Sequence, residues 1–269
     1  MSDLRRFTEA WPGDHLAARV TGTADRDWFY ESGRRSVQEV EAVLAVIQRP
    51  LESFTSILDF GCGCGRMLVW LGNLAKSSAL HGVDIDPPAV EWAQHHLSYA
   101  TVKANQPGPP LDYADNFFDL VYNHSVFSHI DEELQDRWLA ELRRVTRPGG
   151  FLVLSVHGEH AFEEFERVGG AADPAALRRV LQDHGIVFLR EDGWVGGPFP
   201  DFYHTTFHAP WYVFTHWSRW FRIRAYVPRG SLGYQDFVLL ERLPDDYPPS
   251  KPLSPSAARF EASDDGASL

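Results

Sequence analysis

Apolar residues recur at three- and four-residue steps between residues 36 and 47, at Val37, Val40, Val43, Leu44 and Ile47, and predict an amphipathic helix that stops before Pro50. An unbroken apolar run at residues 57–60 comes next, then a glycine-rich stretch, then the helical spacing Met67, Leu68, Leu71, Leu74. Strand, turn and helix in that order open an α/β unit, and the unit repeats. Residues 79–83 read as a strand and 87–97 as a helix, with proline in the first turn where its missing N–H costs nothing. A weaker third strand is expected at 102–105, a fourth at 117–122, a helix at 131–145 closed by Arg147, Pro148, Gly149 and Gly150, and a fifth strand at 151–156. Apolar runs that alternate with helices in this way predict a parallel sheet with right-handed crossovers.

The second half is less periodic. Asp173 and Pro174 suit the N-cap and first turn of a helix reaching His184. Residues 193–210, rich in Gly, Pro and aromatic side chains, read as an inserted loop or hairpin, and 211–220 as a helix. Strands at 221–227 and 237–240, joined through Gly230 and Gly233, fit an antiparallel hairpin at the sheet edge. From Pro244 onward there is little to bury, and residues 244–269 are expected to be a disordered tail.

A chain of 269 residues suits a single α/β domain with a buried core. The aromatic share of 13%, with nine Trp, is high and calls for a place in the fold. A net charge of −12 and a pI near 5.4 oppose a basic face for phosphates, so bulk nucleic acid is excluded and a small-molecule or peptide-like partner is expected. Cys62 and Cys64, the only cysteines, are too close to build a disulfide framework or a zinc site, which points to a reducing, cytoplasmic setting. The polar start and the lack of a run of about twenty apolar residues speak against secretion and membrane insertion. Oligomeric state leaves no mark that can be read.

Gly61, Gly63 and Gly65 fall where the first strand ends, permitting positive φ and close approach of a ligand to backbone N–H groups. Alone, such glycines are as compatible with a plain tight turn. Asp59 precedes them, however, and Asp84 closes the second strand, where an acid can accept both hydroxyls of a ribose. An adenosine-containing ligand is thereby implied. In the nicotinamide fingerprint the third glycine comes three residues after the second; here Gly65 comes after two and Arg66 takes the expected place, which weakens a pyrophosphate reading.

Residues 57–66, 81–86, 118–130 and 141–154 together resemble, in order and spacing, the motifs of the class I S-adenosylmethionine-dependent methyltransferases, over about residues 53–156. The resemblance implies an α/β fold: a seven-stranded, mostly parallel Rossmann-like sheet with an antiparallel last strand, helices on both faces, an N-terminal helical cap and an insertion after strand 5. One domain over 1–243 is expected, with a helical cap at 1–50, a cofactor-binding core at 51–157, a substrate-side insertion at 158–217 and a final strand pair at 218–243. The implied cofactor is S-adenosyl-L-methionine and the product S-adenosyl-L-homocysteine. By position, Gly61, Cys62, Gly63 and Gly65 would pass under the methionine part, Asp84 would take the ribose, Ile85 would pack on the adenine and Asn105 would meet its amino edge. Asn123 would face the ammonium, and Asp59 would act on the glycine turn or, through water, on that ammonium. Tyr30, Gly33 and Arg34 precede the first core helix and would close over the cofactor, unless Ser32 is simply a helix cap.

Methyl transfer needs alignment in a site shielded from water, and a hydroxyl or amine acceptor also gains from a base. His124, His129 and His157 follow the fourth and fifth strands toward the edge where ligands bind, so they are the candidates, with His129 the one most suited to a structural role. The aromatic insert supplies a candidate acceptor wall, with His157, Tyr203, His204, His208 and Trp211 as substrate-side residues; a satellite hydrophobic cluster is the competing reading. His204 and His208 lack an evident third ligand, and no metal is expected. The expected activity is O- or N-methylation of a small or peptide-like acceptor in specialised metabolism. A non-catalytic binder of the cofactor and a nicotinamide oxidoreductase are the alternatives.

Overall fold

The computed structural model describes residues 11–169, 173–190 and 202–246. Two N-terminal helices, α1 (Asp14–Thr21) and α2 (Arg26–Leu44), lead to strand β1 (Ser56–Phe60), which is followed by β2 (Ala79–Asp84), α3 (Pro87–His96), β3 (Ala100–Ala104) and β4 (Phe118–Tyr122). Next come α4 (Glu132–Val145), β5 (Thr146–Val156), α5 (Glu159–Arg167), α6 (Pro174–His184) and the short strands β6 (Ile186–Leu189) and β7 (Thr205–His208). Helix α7 (Pro210–His216) and strands β8 (Arg222–Ser231) and β9 (Gln235–Glu241) complete the described chain. Seven strands form one sheet in the order β3-β2-β1-β4-β5-β9-β8, in which β9 alone runs antiparallel to both its neighbours.

The sheet separates two apolar layers. On one side Val40, Leu44 and Val90 pack with Leu68 and Leu80; on the other Trp138 and Leu142 of α4 and Val213 of α7 pack with Leu58, Val121 and Leu152. Asp131 caps α4 by accepting from the Leu134 N–H at 2.9 Å, and Asp173 caps α6 by accepting from the Ala176 N–H at 2.9 Å.

Three elements differ from the sequence pattern. Helix α2 starts ten residues before the apolar period does, because Asp25 caps it, accepting from the Trp28 N–H at 2.9 Å. Its first half buries Ser32, Gly33 and Ser36, small residues that carry no apolar period, and Ser32 sits inside the helix instead of capping it. The helix expected after the glycine turn is two 3₁₀ segments, Leu68–Trp70 and Gly72–Lys76. Leu68, Leu71 and Leu74 are three residues apart, the period of a 3₁₀ turn, and i+3 bonds join each to the next. The segment of Arg147 to Gly150 extends β5 instead of ending α4, since Gly149 and Gly150 pair with Arg242.

The insertion after β5 is a two-stranded antiparallel sheet of β6 and β7, flanked by α5, which the sequence pattern left without an assignment. Trp194 and residues 191–201 of the insert lie outside the described residues, as does the expected tail from residue 247. Among the described residues no helix is long and apolar enough to cross a membrane.

Candidate active site

The parallel pairing of β1 with β2 ends at Phe60 opposite Val83, and the next two backbone N–H groups, of Gly61 and Cys62, both donate to the Val83 carbonyl at 2.9 and 3.0 Å. The chain then reverses through Gly61 (φ 83°), where a Cβ would lie 2.4 Å from Val126 Cγ2. Only glycine meets both demands, positive φ and no side chain. Asp84 braces this turn from β2: one carboxylate oxygen accepts the Gly63 N–H at 2.6 Å and the other the Asp86 N–H at 2.9 Å. Burial raises the acid of Asp84, and those two backbone donors oppose the rise. The thiols of Cys62 and Cys64 are buried and pushed up, Cys64 to about 12, so both are neutral filler in a crowded turn.

A cavity opens where the carboxyl ends of β3, β2, β1 and β4 meet, and the strand order arranges its lining. From β2 and β3 come Asp84, Ile85 and Asn105; from the glycine turn Gly61, Cys62 and Gly63; from β1, and from just past the turn, Asp59 and Arg66; and from beyond β4, His124 and Ser125. Phe60, Trp138, Phe202 and Tyr203 add aromatic walls, and α1 contributes Arg19 and Val20. Arg19 lies 3.2 Å from the Asp86 carboxylate. Of the residues singled out in the sequence, Asp59, Gly61, Cys62, Gly63, Asp84, Ile85, Asn105, His124 and Tyr203 line the cavity.

The others stand apart from its wall. Gly65 packs against Leu97, where a Cβ would lie 2.3 Å from Leu97 Cδ1. Asn123 is fully buried between β4 and β5, its Oδ1 accepting the Ser155 N–H at 2.8 Å. Tyr30 packs edge-on against Phe29, and Arg34 is exposed and paired with Glu31 on the surface of α2. Gly33 has a structural duty: a Cβ there would sit 2.2 Å from the Arg66 carbonyl oxygen, so it lets α2 cross directly over the segment that carries Arg66. Trp211 is 45% exposed beside Tyr212.

Asp59 and Arg66 bring opposite charges to the wall. Burial pushes the Asp59 acid up to about 7, against the downward pull of the Tyr122 hydroxyl, which donates to it at 3.0 Å, and of Arg66. Burial lowers Arg66 to about 10, with Asp59 opposing. The guanidinium donates to Ser36 Oγ at 3.2 Å. The sequence showed Arg66 only as a break in glycine spacing, and Arg19 not at all.

The segment after β4 is held from several sides. Ser125 adopts φ 63° and its N–H donates to Ser155 Oγ at 2.7 Å. His124 Nδ1 lies 2.9 Å from Ser231 Oγ, and burial drives its pKa well below the ordinary value. Strand β7 runs along the same segment: the N–H groups of His204 and Thr206 donate to the carbonyls of His129 and Ser128, both at 2.8 Å. That docking stacks Tyr203 on His129 at 4.3 Å and sends its hydroxyl to the Ser125 carbonyl at 3.1 Å. His129 is bonded through Nδ1 to the His204 carbonyl at 2.8 Å, and burial lowers its pKa to about 4. His157 sits behind this layer, 3.3 Å from the Gln235 amide, and His208 is bonded to Gln135 at 2.9 Å with its pKa lowered by burial to about 3. His204 is buried with its ring against Phe188. Among the described residues no group of three or more His, Cys, Asp or Glu side chains is arranged to hold a metal ion.

Residues 58–154 match the methyltransferase domain family, a segment that runs from within β1 through the glycine turn and Asp84 into β5. Over that segment the chain is similar to methyltransferases. A malonyl-[acyl-carrier protein] O-methyltransferase of Hahella chejuensis is 31% identical over 118 residues, 44% of this chain and 42% of that protein. A ribosomal protein L11 methyltransferase of Ralstonia pickettii is 32% identical over 138 residues, 51% of this chain and 41% of that protein. The chain thus spans about two fifths of the length of these relatives. The fold is shared with a protein of Pyrococcus horikoshii (TM-score 0.56, 17% identity, 78% of this chain and 90% of that one). It is shared as well with an S-adenosylmethionine-dependent methyltransferase of Mesorhizobium loti (TM-score 0.51, 13% identity, 75% and 96%).

Proposed function

We propose that this protein is an S-adenosylmethionine-dependent methyltransferase that methylates oxygen or nitrogen of a small-molecule or peptide-like acceptor. The observation that carries this reading is the charge pattern of one cavity. At the β2 side, the Asp84 carboxylate keeps spare lone pairs beyond its two backbone bonds, beside the apolar Ile85, which suits a ribose and its base. Toward β1, Asp59 and Arg66 offer an acid and a base side by side, which suits the ammonium and carboxylate of an amino acid. A nucleoside joined to an amino acid matches both ends. A dinucleotide matches neither so well, because its pyrophosphate would meet Asp59 and Asp84 with no α-helix N-terminus behind the turn to offset them.

The bound cofactor supplies an electrophilic methyl group. The chain does the rest: the glycine turn and Asp84 fix the nucleoside, Asp59 and Arg66 fix the amino-acid end, and aromatic walls exclude water. His124, on the wall beyond β4, is in place to take a proton from the acceptor. His129 and His157 support that segment from behind, and Tyr203 extends the wall on the acceptor side. The net charge of −12 favours a small or peptide-like acceptor over nucleic acid, and two reduced, buried thiols fit a cytoplasmic enzyme.

Calorimetry and turnover test this. S-adenosylmethionine is expected to bind and NADH not to bind, and a panel of hydroxyl and amine acceptors given methyl-labelled cofactor is expected to release S-adenosylhomocysteine only when the right acceptor is present. Tight NADH binding without S-adenosylmethionine binding overturns the assignment.

A further inference from the structure

The connection from β8 to β9 lies outside the matched segment 58–154, yet it reaches the cavity lining at two points. Ser231, fully buried at the end of β8, places its hydroxyl 2.9 Å from His124 Nδ1, across 107 residues of sequence. Gln235, at the start of β9, donates its amide to Ser125 Oγ and approaches His157 Nε2 at 3.3 Å. The connection is itself anchored: the Leu232 N–H donates to Glu39 of α2 at 2.8 Å, and Asp236 accepts from the Arg229 N–H at 2.7 Å and the Tyr226 hydroxyl at 2.6 Å. Arg229, Leu232 and Ser125 all adopt left-handed φ, of 55°, 53° and 63°. Non-glycine residues held there cost of order 1–3 kcal/mol each and persist where the surroundings over-determine them. Leu232 follows Ser231 and Ser125 follows His124, so two of these positions adjoin the contacting pair.

We propose that Ser231 is a positioning residue: it accepts a hydrogen bond from His124 Nδ1–H and thereby keeps the Nε2 lone pair turned to the cavity as the proton acceptor for methyl transfer. The inference rests on the methyltransferase reading for its chemistry, but not for its geometry. His124 lines the cavity, and Ser231 is the partner of its Nδ1. A serine hydroxyl can accept from Nδ1–H whether the ring is neutral or protonated, so one contact serves the imidazole before and after it gains a proton. In the step itself, a lone pair of the acceptor's oxygen or nitrogen forms the bond to the methyl carbon, and the carbon–sulfur bond breaks with its electrons left on sulfur. A hydroxyl acceptor's proton passes to Nε2. An alkylated hydroxyl that still carries its proton is a strong acid, so an imidazole weakened by burial is base enough for an oxygen acceptor; an amine acceptor enters already neutral and its product leaves as the ammonium or loses its proton to solvent.

The test uses the intact protein with ¹⁵N-labelled histidine. Without any cofactor, the ring nitrogens of His124 are expected to show the Nδ1-protonated tautomer in the wild type and a mixture in Ser231→Ala, with Ser231→Thr restoring the wild-type pattern. With cofactor and acceptor, Ser231→Ala is expected to lower kcat by about tenfold while leaving S-adenosylmethionine affinity unchanged, and Ser231→Thr to recover most of the loss. An Nε2-protonated ring in the wild type, or a tautomer indifferent to Ser231→Ala, overturns the proposal even if the cofactor binds. Failure of the wild type to bind S-adenosylmethionine overturns the methyltransferase reading instead.

Discussion

Asp59 is the residue whose charge state decides most about the cavity. Burial holds its acid at about 7, far above the ordinary 3.8, so in the empty site it is protonated below that pH and ionised above it. A cationic ammonium binds best to the ionised form and must expel the proton at lower pH. Affinity for S-adenosylmethionine is therefore expected to rise about tenfold between about pH 6 and pH 8 and then level off. Calorimetry across that range checks it, and Asp59→Asn, whose amide does not titrate, is expected to bind more weakly and to lose this part of the pH dependence. A rising slope that persists in the variant assigns the titration to another group of the site, because the ligand's own amine loses its charge as pH rises and would give the opposite slope. The place of Asp84 on the cavity wall was legible in the sequence because it is fixed by two strands that pair side by side. Arg66 and Ser231 were not, because the first disguises itself as a spacing irregularity and the second acts on a residue 107 positions away.

At the scale of elements, α2 and the glycine turn form one mechanical unit through Gly33. Replacing it with alanine drives a Cβ to within 2.2 Å of the Arg66 carbonyl, a backbone atom that cannot rotate away. Gly33→Ala is expected to destabilise the fold by about 1–3 kcal/mol in chemical denaturation and to weaken cofactor binding as Arg66 shifts. An alanine variant of wild-type stability would mean that α2 is free to lift from the turn. The same contact explains why the start of α2 was hard to read. A helix that crosses backbone at this distance must present Ser32, Gly33 and Ser36, and such a stripe has no hydrophobic period. Strands β1, β2, β4 and β5 announced themselves by apolar runs because the sheet buries them on both faces. Strands β6 and β7 did not, because they form a separate short sheet, and polar members of β7 are buried through hydrogen bonds, Thr206 to Ser128 and Ile130, and His208 to His157 and Gln135.

For the molecule as a whole, the buried histidines tie stability to pH. His124 and His157 are driven well below the ordinary value, His129 to about 4 and His208 to about 3, all by burial. Each is neutral when folded and gains a proton when unfolded below pH 6.5, so the stability they contribute is complete above that pH and is lost as pH falls toward their folded values. The slope is about 1.4 kcal/mol per pH unit for each histidine in that range. Asp59, at about 7, opposes, as do the burial-raised acids of Asp84, Glu39 and Glu41, so the net fall is shallower than the four histidines alone would give. Denaturation midpoints are expected to drop between about pH 6.5 and pH 5, and His208→Gln, if it folds, to reduce the steepness. A flat profile would show these rings to be protonated or solvated in the folded protein.

The place of β9 in the sheet has a consequence for how the protein is made. Residues 235–241 fill the gap between β5 and β8, so on a ribosome the apolar edge of β5 stays open until nearly all the described chain has emerged. An open edge of that kind is sticky toward other nascent chains. The same late strand carries Gln235 and follows Ser231, so a prematurely terminated product keeps its glycine turn yet has nothing to clamp His124. Truncation before Ser231 would then leave the β5 edge exposed and His124 without its clamp.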